Sequence, residues 1–208
     1  MFCLPSTLDH LENALRQVQL RLRGVDKPWL VGGSCGLLLH GVPLQAPPRD
    51  LDLYADDESA SELHRALSGY AVDEQTEDRS GMYRSILSHY SIEDIKVELV
   101  CGFEVTAHES VYRVEAGYLV QSQPIAIRTG GVMEPETESD VSLPPLKLMP
   151  LEHELLFNVL RDRPDRYEAI AGVMRSRSKG MTPFMRELMR RNRLGKQVKA
   201  RLKRLLQP

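Results

Sequence analysis

Two acids one residue apart, Asp50 and Asp52, lie in the alternating stretch Asp50-Leu51-Asp52-Leu53-Tyr54. A strand has a side-chain period of two, so both carboxylates fall on one face while Leu51 and Leu53 turn to the core. Carboxylates held that close repel and raise each other's pKa unless a cation lies between them. Hard oxygen donors on a rigid strand suit Mg²⁺ (or Mn²⁺), which takes one or two carboxylates and completes its shell with water and substrate phosphates. Sixteen residues upstream of Asp50, counted from Ser34, stands Gly32-Gly33-Ser34. Two glycines permit a tight turn and close backbone approach, so amides and the Ser34 hydroxyl can cradle the phosphates of a nucleoside triphosphate. Neither half is specific alone. Gly-Gly-Ser is common in loops, and alternating aspartates on a strand are usually a solvated face.

The surrounding pattern positions both halves. Ser6 or Thr7 can cap a helix with apolar residues Leu8, Leu11, Leu15, Val18 and Leu22 at helical spacing. Trp29-Leu30-Val31 reads as a buried strand, Gly32-Gly33-Ser34 as the turn, and Cys35 to His40 as a helix closed by Gly41. A Pro-rich connector, Val42 to Pro48, leads into the strand of Asp50 and Asp52, and Ser59 to Leu67 follows as an amphipathic helix. Further strands are expected at Tyr83 to Leu87, Ile95 to Val100, Tyr112 to Val114 and Ile125 to Ile127. Met133 to Pro145 is acidic, Pro-rich and aperiodic. Helices are expected at Leu151 to Leu160, Asp165 to Met174, after the Thr182-Pro183 start signal, and at Lys196 to Leu206. The expected architecture is α/β (α+β): a mixed sheet flanked by helices over residues 1–132, an acidic Pro-rich linker over 133–149, and a helical region with a basic tail over 150–208.

Composition narrows the setting. A chain of 208 residues that is 42% hydrophobic buries a core without disulfide staples. Cys3, Cys35 and Cys101 have neither even number nor ligand spacing, which fits reduced thiols in the cytoplasm. Neither a leader-like start nor a membrane-length apolar run is found. The net charge of −2 conceals a polarity: from Arg175 to Pro208 twelve Lys/Arg face one acid, Glu187. Such a tail either contacts a polyanion such as RNA or tRNA, or is bland, packing back on the acidic body or presenting a solvated helix face.

Taken together and in order, Leu30-Val-Gly-Gly-Ser34, His40-Gly41 and Arg49-Asp-Leu-Asp-Leu53 resemble the signature of the nucleotidyltransferase superfamily shared with polymerase β. They look especially like the small bacterial nucleotidyltransferases and the abortive-infection toxins related to them. The likeness covers about Pro28 to Val100. It implies a third carboxylate on a later strand, for which Glu98 in Ile95-Lys-Val-Glu-Leu-Val100 is the best match, although the family more often has aspartate there. Pro150-Leu-Glu-His-Glu154 through Arg163-Pro164 resembles the helix after the catalytic domain, with Asn158 where a lysine is often found.

The resemblance implies in-line displacement at the α-phosphate of an ATP-like nucleoside triphosphate. Asp50, Asp52 and Glu98 would hold metal and do the chemistry. Gly32, Gly33, Ser34 and Arg49 would bind nucleotide, Arg49 having the alternative of balancing its acidic neighbours. His40 fits a helix end bonded to a carbonyl better than a catalyst. The remaining histidines lack zinc spacing, and Arg128-Thr129-Gly130-Gly131 reads as a turn. The expected function is transfer of a nucleoside monophosphate to a hydroxyl on RNA, protein or a small molecule. The alternatives are a catalytically silent nucleotide- or RNA-binding module of this fold, or the toxin of a toxin–antitoxin pair. The oligomeric state is left open.

Overall fold

The computed structural model describes residues 7–122, 126–127, 143 and 145–207. Its strands β1 (Trp29–Gly32), β2 (Asp50–Ala55), β3 (Thr76–Ser80), β4 (Tyr83–Ile92), β5 (Ile95–Ala107) and β6 (Ser110–Arg113) form one mixed sheet. The spatial order is β1-β2-β5-β4-β3, with β6 paired to the end of β5. Only β2 and β5 run parallel. The fold is a mixed α/β one, as the residue pattern implies.

The period of two sorts the sheet's faces. Leu51 and Leu53 of β2 and Val97 and Leu99 of β5 are buried together with α1 (Thr7–Leu22) and α3 (Ala60–Leu67). The alternate residues of the same strands, Tyr54 and Val100, belong to the opposite core with the C-terminal helices. Asp50, Asp52 and Glu98 share that second face, because an even spacing along a strand preserves its side.

Several elements differ from the expectation for identifiable reasons. The strands expected to end at Leu87 and Val100 run on to Ile92 and Ala107. Glu93 and Asp94, both at positive φ, close them into a hairpin, and Gly102 (φ +58) carries β5 past an irregularity opposite Arg84 and Ile86. Strand β3 escapes the pattern because it is an edge strand with no buried residue, so its sequence has no apolar alternation. Helix α4 (Ala116–Ser122) escapes because its cap is remote: the Asp56 carboxylate accepts from the Ala116 and Gly117 amides, each at 2.7 Å. The short strands β7 (Ala126–Ile127) and β8 (Leu146–Lys147) pair with each other. Beyond β8, Leu148 bridges Val31, and the Met149 amide donates to the Val31 carbonyl at 2.8 Å. The end of the stretch expected as a linker is therefore paired along β1. Most of that stretch, Ile125, Cys3 and the Arg128–Gly131 turn lie outside the described residues.

The C-terminal region comprises α5 (Leu151–Leu160), α6 (Pro164–Arg177), α7 (Pro183–Arg191) and α8 (Lys196–Leu205). All of α5 is buried, wedged between the sheet and its sister helices. Of the two readings of the basic tail, the structure displays packing. Met185, Leu188, Val198, Leu202 and Leu205 are buried in the core, while Arg191 forks onto Glu115 and Arg201 reaches Asp162. No helix among the described residues is long and apolar enough to cross a membrane.

The start of α7 illustrates local design read correctly from sequence. The Thr182 hydroxyl accepts from the Met185 amide at 3.0 Å and donates to the buried Glu152 carboxylate at 2.8 Å. Thr182→Ala removes a helix cap and leaves a buried carboxylate short of a partner. Urea unfolding should register a loss of about 1–2 kcal/mol with unchanged slope; a Thr182→Ser variant should retain most of it.

Candidate active site

A cleft of about 380 Å³ opens between the second face of the sheet and α5 with its C-terminal extension. Asp50 and Asp52 of β2, Glu98 of β5, and Gly33 and Ser34 at the start of α2 (Gly33–Leu39) all line it. The register explains the gathering. Asp52 is paired with Gly32 on one side and Glu98 on the other, so the turn and both acidic strands meet at one level of the sheet. Gly33 takes φ +60, and a Cβ there would lie 1.8 Å from the Asp52 carboxylate. Only glycine admits this approach. Gly32 is buried against Tyr54, Met149 and Glu154. Arg49 is exposed and outside the cleft lining.

The acidic end is electrostatically loaded. Burial, with the charges of Asp50 and Glu98, pushes the Asp52 carboxyl up to about 7, while Arg161 and Lys96 pull it partly back. Glu98 has partners of its own: the Lys96 ammonium at 2.5 Å and the His89 imidazole at 3.8 Å. Among the described residues no three acidic, His or Cys side chains are gathered closely enough to hold an ion as they lie. The donor set nevertheless suits a divalent cation. Asp50 and Asp52 supply hard oxygens on one strand face, and a cation between them would relieve the repulsion that raises Asp52. The same charges, after burial, push the Cys35 thiol up to about 12, which leaves it protonated and inert.

The phosphate half differs from its expected form. The Gly33 amide donates to Glu154 Oε1 at 2.9 Å, so in this arrangement it is engaged by protein. Glu154 is 1% exposed, and burial pushes its carboxyl up to about 8 in spite of that bond. The Ser34 hydroxyl accepts from the Arg166 guanidinium at 3.3 Å. Asn158, at the position where a lysine was expected, lines the cleft but donates back to the Glu154 carbonyl at 2.8 Å. His40 is buried and bonded through Nε2 to the Met149 carbonyl at 2.8 Å, the role expected for it.

Sequence reasoning missed three groups that complete the cleft. Glu154 seals its back, Arg161, Arg163 and Arg166 border one end, and Tyr83, Phe103 and Phe157 form an aromatic wall with ring centroids 5.3–6.3 Å apart. Three arginines within Arg161-Asp-Arg-Pro-Asp-Arg166 were a local signal for the second group. For the others no local signal existed.

A search of curated proteins finds no match at the sequence level. Among solved structures, a Thermotoga maritima protein assigned as a nucleotidyltransferase superposes with a TM-score of 0.52 at 21% identity, covering 78% of this chain and 91% of that one. This likeness establishes a shared fold. The antibiotic-resistance factor ANT(2'')-Ia is also similar: its solution structure gives a TM-score of 0.46 at 13% identity, over 81% of this chain and 84% of that one. Its crystal structure with adenylyl-2''-tobramycin gives 0.47 at 11% identity, over 92% and 98%. The family model of aminoglycoside-2''-adenylyltransferases matches residues 14–138, which is more than half of the sequence and includes Gly33, Asp50, Asp52 and Glu98. The chain therefore belongs to the aminoglycoside-2''-adenylyltransferase family, of nucleotidyltransferase type.

Proposed function

We propose that this protein transfers a nucleoside monophosphate from a nucleoside triphosphate to a hydroxyl of a small cationic acceptor, an aminoglycoside being the model compound. The observation that carries the reading is the meeting of Asp50, Asp52 and Glu98 with Ser34 in one cleft, in a chain of this family. Asp50 and Asp52 would hold Mg²⁺ or Mn²⁺, with Glu98 joining them once released from Lys96. Bound there, the metal would neutralise charge on the triphosphate and make the acceptor hydroxyl more acidic.

The chain's own groups do the remaining work. The acceptor oxygen forms its bond to the α-phosphorus as the bond to the β-phosphoryl oxygen breaks, and pyrophosphate leaves. The hydroxyl proton passes to a carboxylate oxygen of Glu98. Ser34 and its neighbours hold the terminal phosphates in line, because positioning and fixed charge supply most of the rate in such transfers. Asp78, on β3 across the cleft, adds a further acid to the acceptor's path. An acid-lined approach attracts ammonium groups and repels polyanions such as RNA, which favours the small cationic acceptor. On this reading residues 1–132 are the catalytic unit, 133–149 the connection and 150–208 the part that closes the cleft, working in the cytoplasm.

A silent module is the second reading, favoured by the Lys96–Glu98 contact and by Asn158 in place of a lysine. Incubation with each α-labelled triphosphate, Mg²⁺ or Mn²⁺, and in turn aminoglycosides, total tRNA and protein separates the cases. Label on an aminoglycoside with release of pyrophosphate is expected. Label on tRNA instead would reassign the acceptor, and nucleotide binding without transfer would leave the silent module.

A further inference from the structure

The cleft is bipolar. It is lined by Asp50, Asp52 and Glu98 and by Arg161, Arg163 and Arg166, of which Arg163 and Arg166 share Asp165 at 2.7 and 3.8 Å. Each guanidinium is held by a different device. Arg161 lies over the Phe157 ring, 4.7 Å from its centroid, which occupies the cation's face and leaves its N–H edge for a pair of oxygen acceptors. Arg163 is forked onto Asp165 at 2.7 and 3.0 Å. Arg166 is tied to the Ser34 hydroxyl at 3.3 Å, so it stands at the turn beside Asp52.

The backbone between these residues is anchored from outside. Asp162 takes φ 50, and its carboxylate receives Arg201 of α8 at 2.5 Å and His108 of the β5–β6 turn at 3.0 Å. Part of the basic tail thus braces the arginine turn. A turn fixed before the ligand arrives loses little entropy on binding.

We infer that Arg161, Arg163 and Arg166 form a clamp for the polyphosphate tail of the nucleotide and for the pyrophosphate it becomes. The inference rests on the nucleotide reading given above and extends it to residues outside the Gly-Ser turn. A ligand that is polyanionic at one end and carries a cation at its middle matches a cleft lined by both arginines and carboxylates. Planar forks recognise phosphoryl oxygens in pairs.

Calorimetric titration with inorganic tripolyphosphate, pyrophosphate, the four nucleoside triphosphates and adenosine, each with Mg²⁺, tests the clamp. The proteins are the wild type, Arg161→Gln, Arg163→Gln, Arg166→Gln and Arg166→Lys. Arg161→Gln breaks no ion pair and serves as the variant whose folding is safest. Arg161→Gln and Arg166→Gln should each weaken tripolyphosphate and triphosphate binding by roughly 10- to 100-fold. Arg166→Lys should recover part of that loss, and the four bases should be affected alike. Tripolyphosphate bound equally by the wild type and by the Arg161 and Arg166 variants would overturn the clamp, as would a loss confined to Arg163→Gln. A wild type that binds tripolyphosphate through these arginines but discriminates no nucleotide from it would instead sink the transferase reading and leave the clamp standing.

Discussion

In EDTA at pH 8, the double variant Asp50→Asn/Asp52→Asn is expected to unfold at a higher urea concentration than the wild type, and in Mg²⁺ without EDTA it is expected to lose all nucleotide transfer. The sign follows from the protonation of the site. The Asp52 carboxyl stands at about 7 in the folded protein, because burial and then Asp50 and Glu98 disfavour its charge, against 3.8 for an unperturbed group. From about pH 4 upward the unfolded chain has released a proton that the folded chain still holds, so stability falls as pH rises and levels off above the folded value. Glu154, raised to about 8, adds a slope of the same sign over a slightly higher window. Asparagine cannot ionise. The double variant should therefore lose the share of the slope that Asp52 contributes between about pH 4 and 7, and keep the share of Glu154, which runs from about 4.5 to 8.

The expected gain at pH 8 is roughly 0.5–2 kcal/mol, less than the full shift of Asp52 implies, because an amide meets donors placed for a carboxylate. Below about pH 4, where Asp52 is protonated in both the folded and the unfolded states, the two proteins should converge. If the aspartates instead acted as structural acceptors, their loss would lower stability by about 1–3 kcal/mol. A lower midpoint with unchanged slope would defeat the metal-site reading even if activity vanished too.

How much of this was legible beforehand depended on how far apart in sequence the interacting groups stand. Leu51 and Leu53 announce their strand by alternation, and that alternation alone places Asp50 and Asp52 together on the other face. Gly33 could be read as a tight approach because glycine pairs have few other uses between a strand and a helix. Glu154 could not be read that way: it meets Gly33 across 121 residues, and a carboxylate in an amphipathic stretch ordinarily faces solvent. Arg166 meets Ser34 across 132 residues, and its segment looks like any charged helix start. Helix α5 misleads for the same reason. Its Glu152, His153, Glu154 and Asn158 suggest a polar face, yet all are buried, each bonded to a different distant or backward partner. The basic tail was legible as charge and as helix, but its apolar residues declare their role only once the core they enter is known.

Gly33→Ala should be the most damaging single substitution in the nucleotide turn, and the reason separates into two measurable parts. The first is conformational: at φ +60 an L-residue is strained by roughly 1–2 kcal/mol. Gly41 provides the reference for that part alone, since it has φ +74 and a Cβ added there meets nothing within 4 Å. The second is the collision with Asp52, whose Oδ2 and Cγ lie 1.8 and 2.8 Å from the Cβ position, distances no rotation of the alanine can relieve. Either the turn shifts or the Asp52 side chain leaves its place, and both undo the alignment of carboxylate and phosphate site. Gly33→Ala is therefore expected to cost about 2–4 kcal/mol and to abolish transfer, whereas Gly41→Ala should cost about 1 kcal/mol and leave transfer nearly intact. The excess can be traced to one contact by a double-mutant cycle. In an Asp52→Ala background the Oδ2 and Cγ atoms are gone and the nearest remaining atom, Asp52 Cβ, is 3.3 Å away, a tight but tolerable contact. Adding Gly33→Ala there should cost little more than Gly41→Ala does, giving a coupling of about 1–3 kcal/mol between positions 33 and 52. Equal costs for Gly33→Ala and Gly41→Ala in the wild-type background would mean that the turn does not approach Asp52, and the geometry assigned to the nucleotide end of the cleft would have to be abandoned.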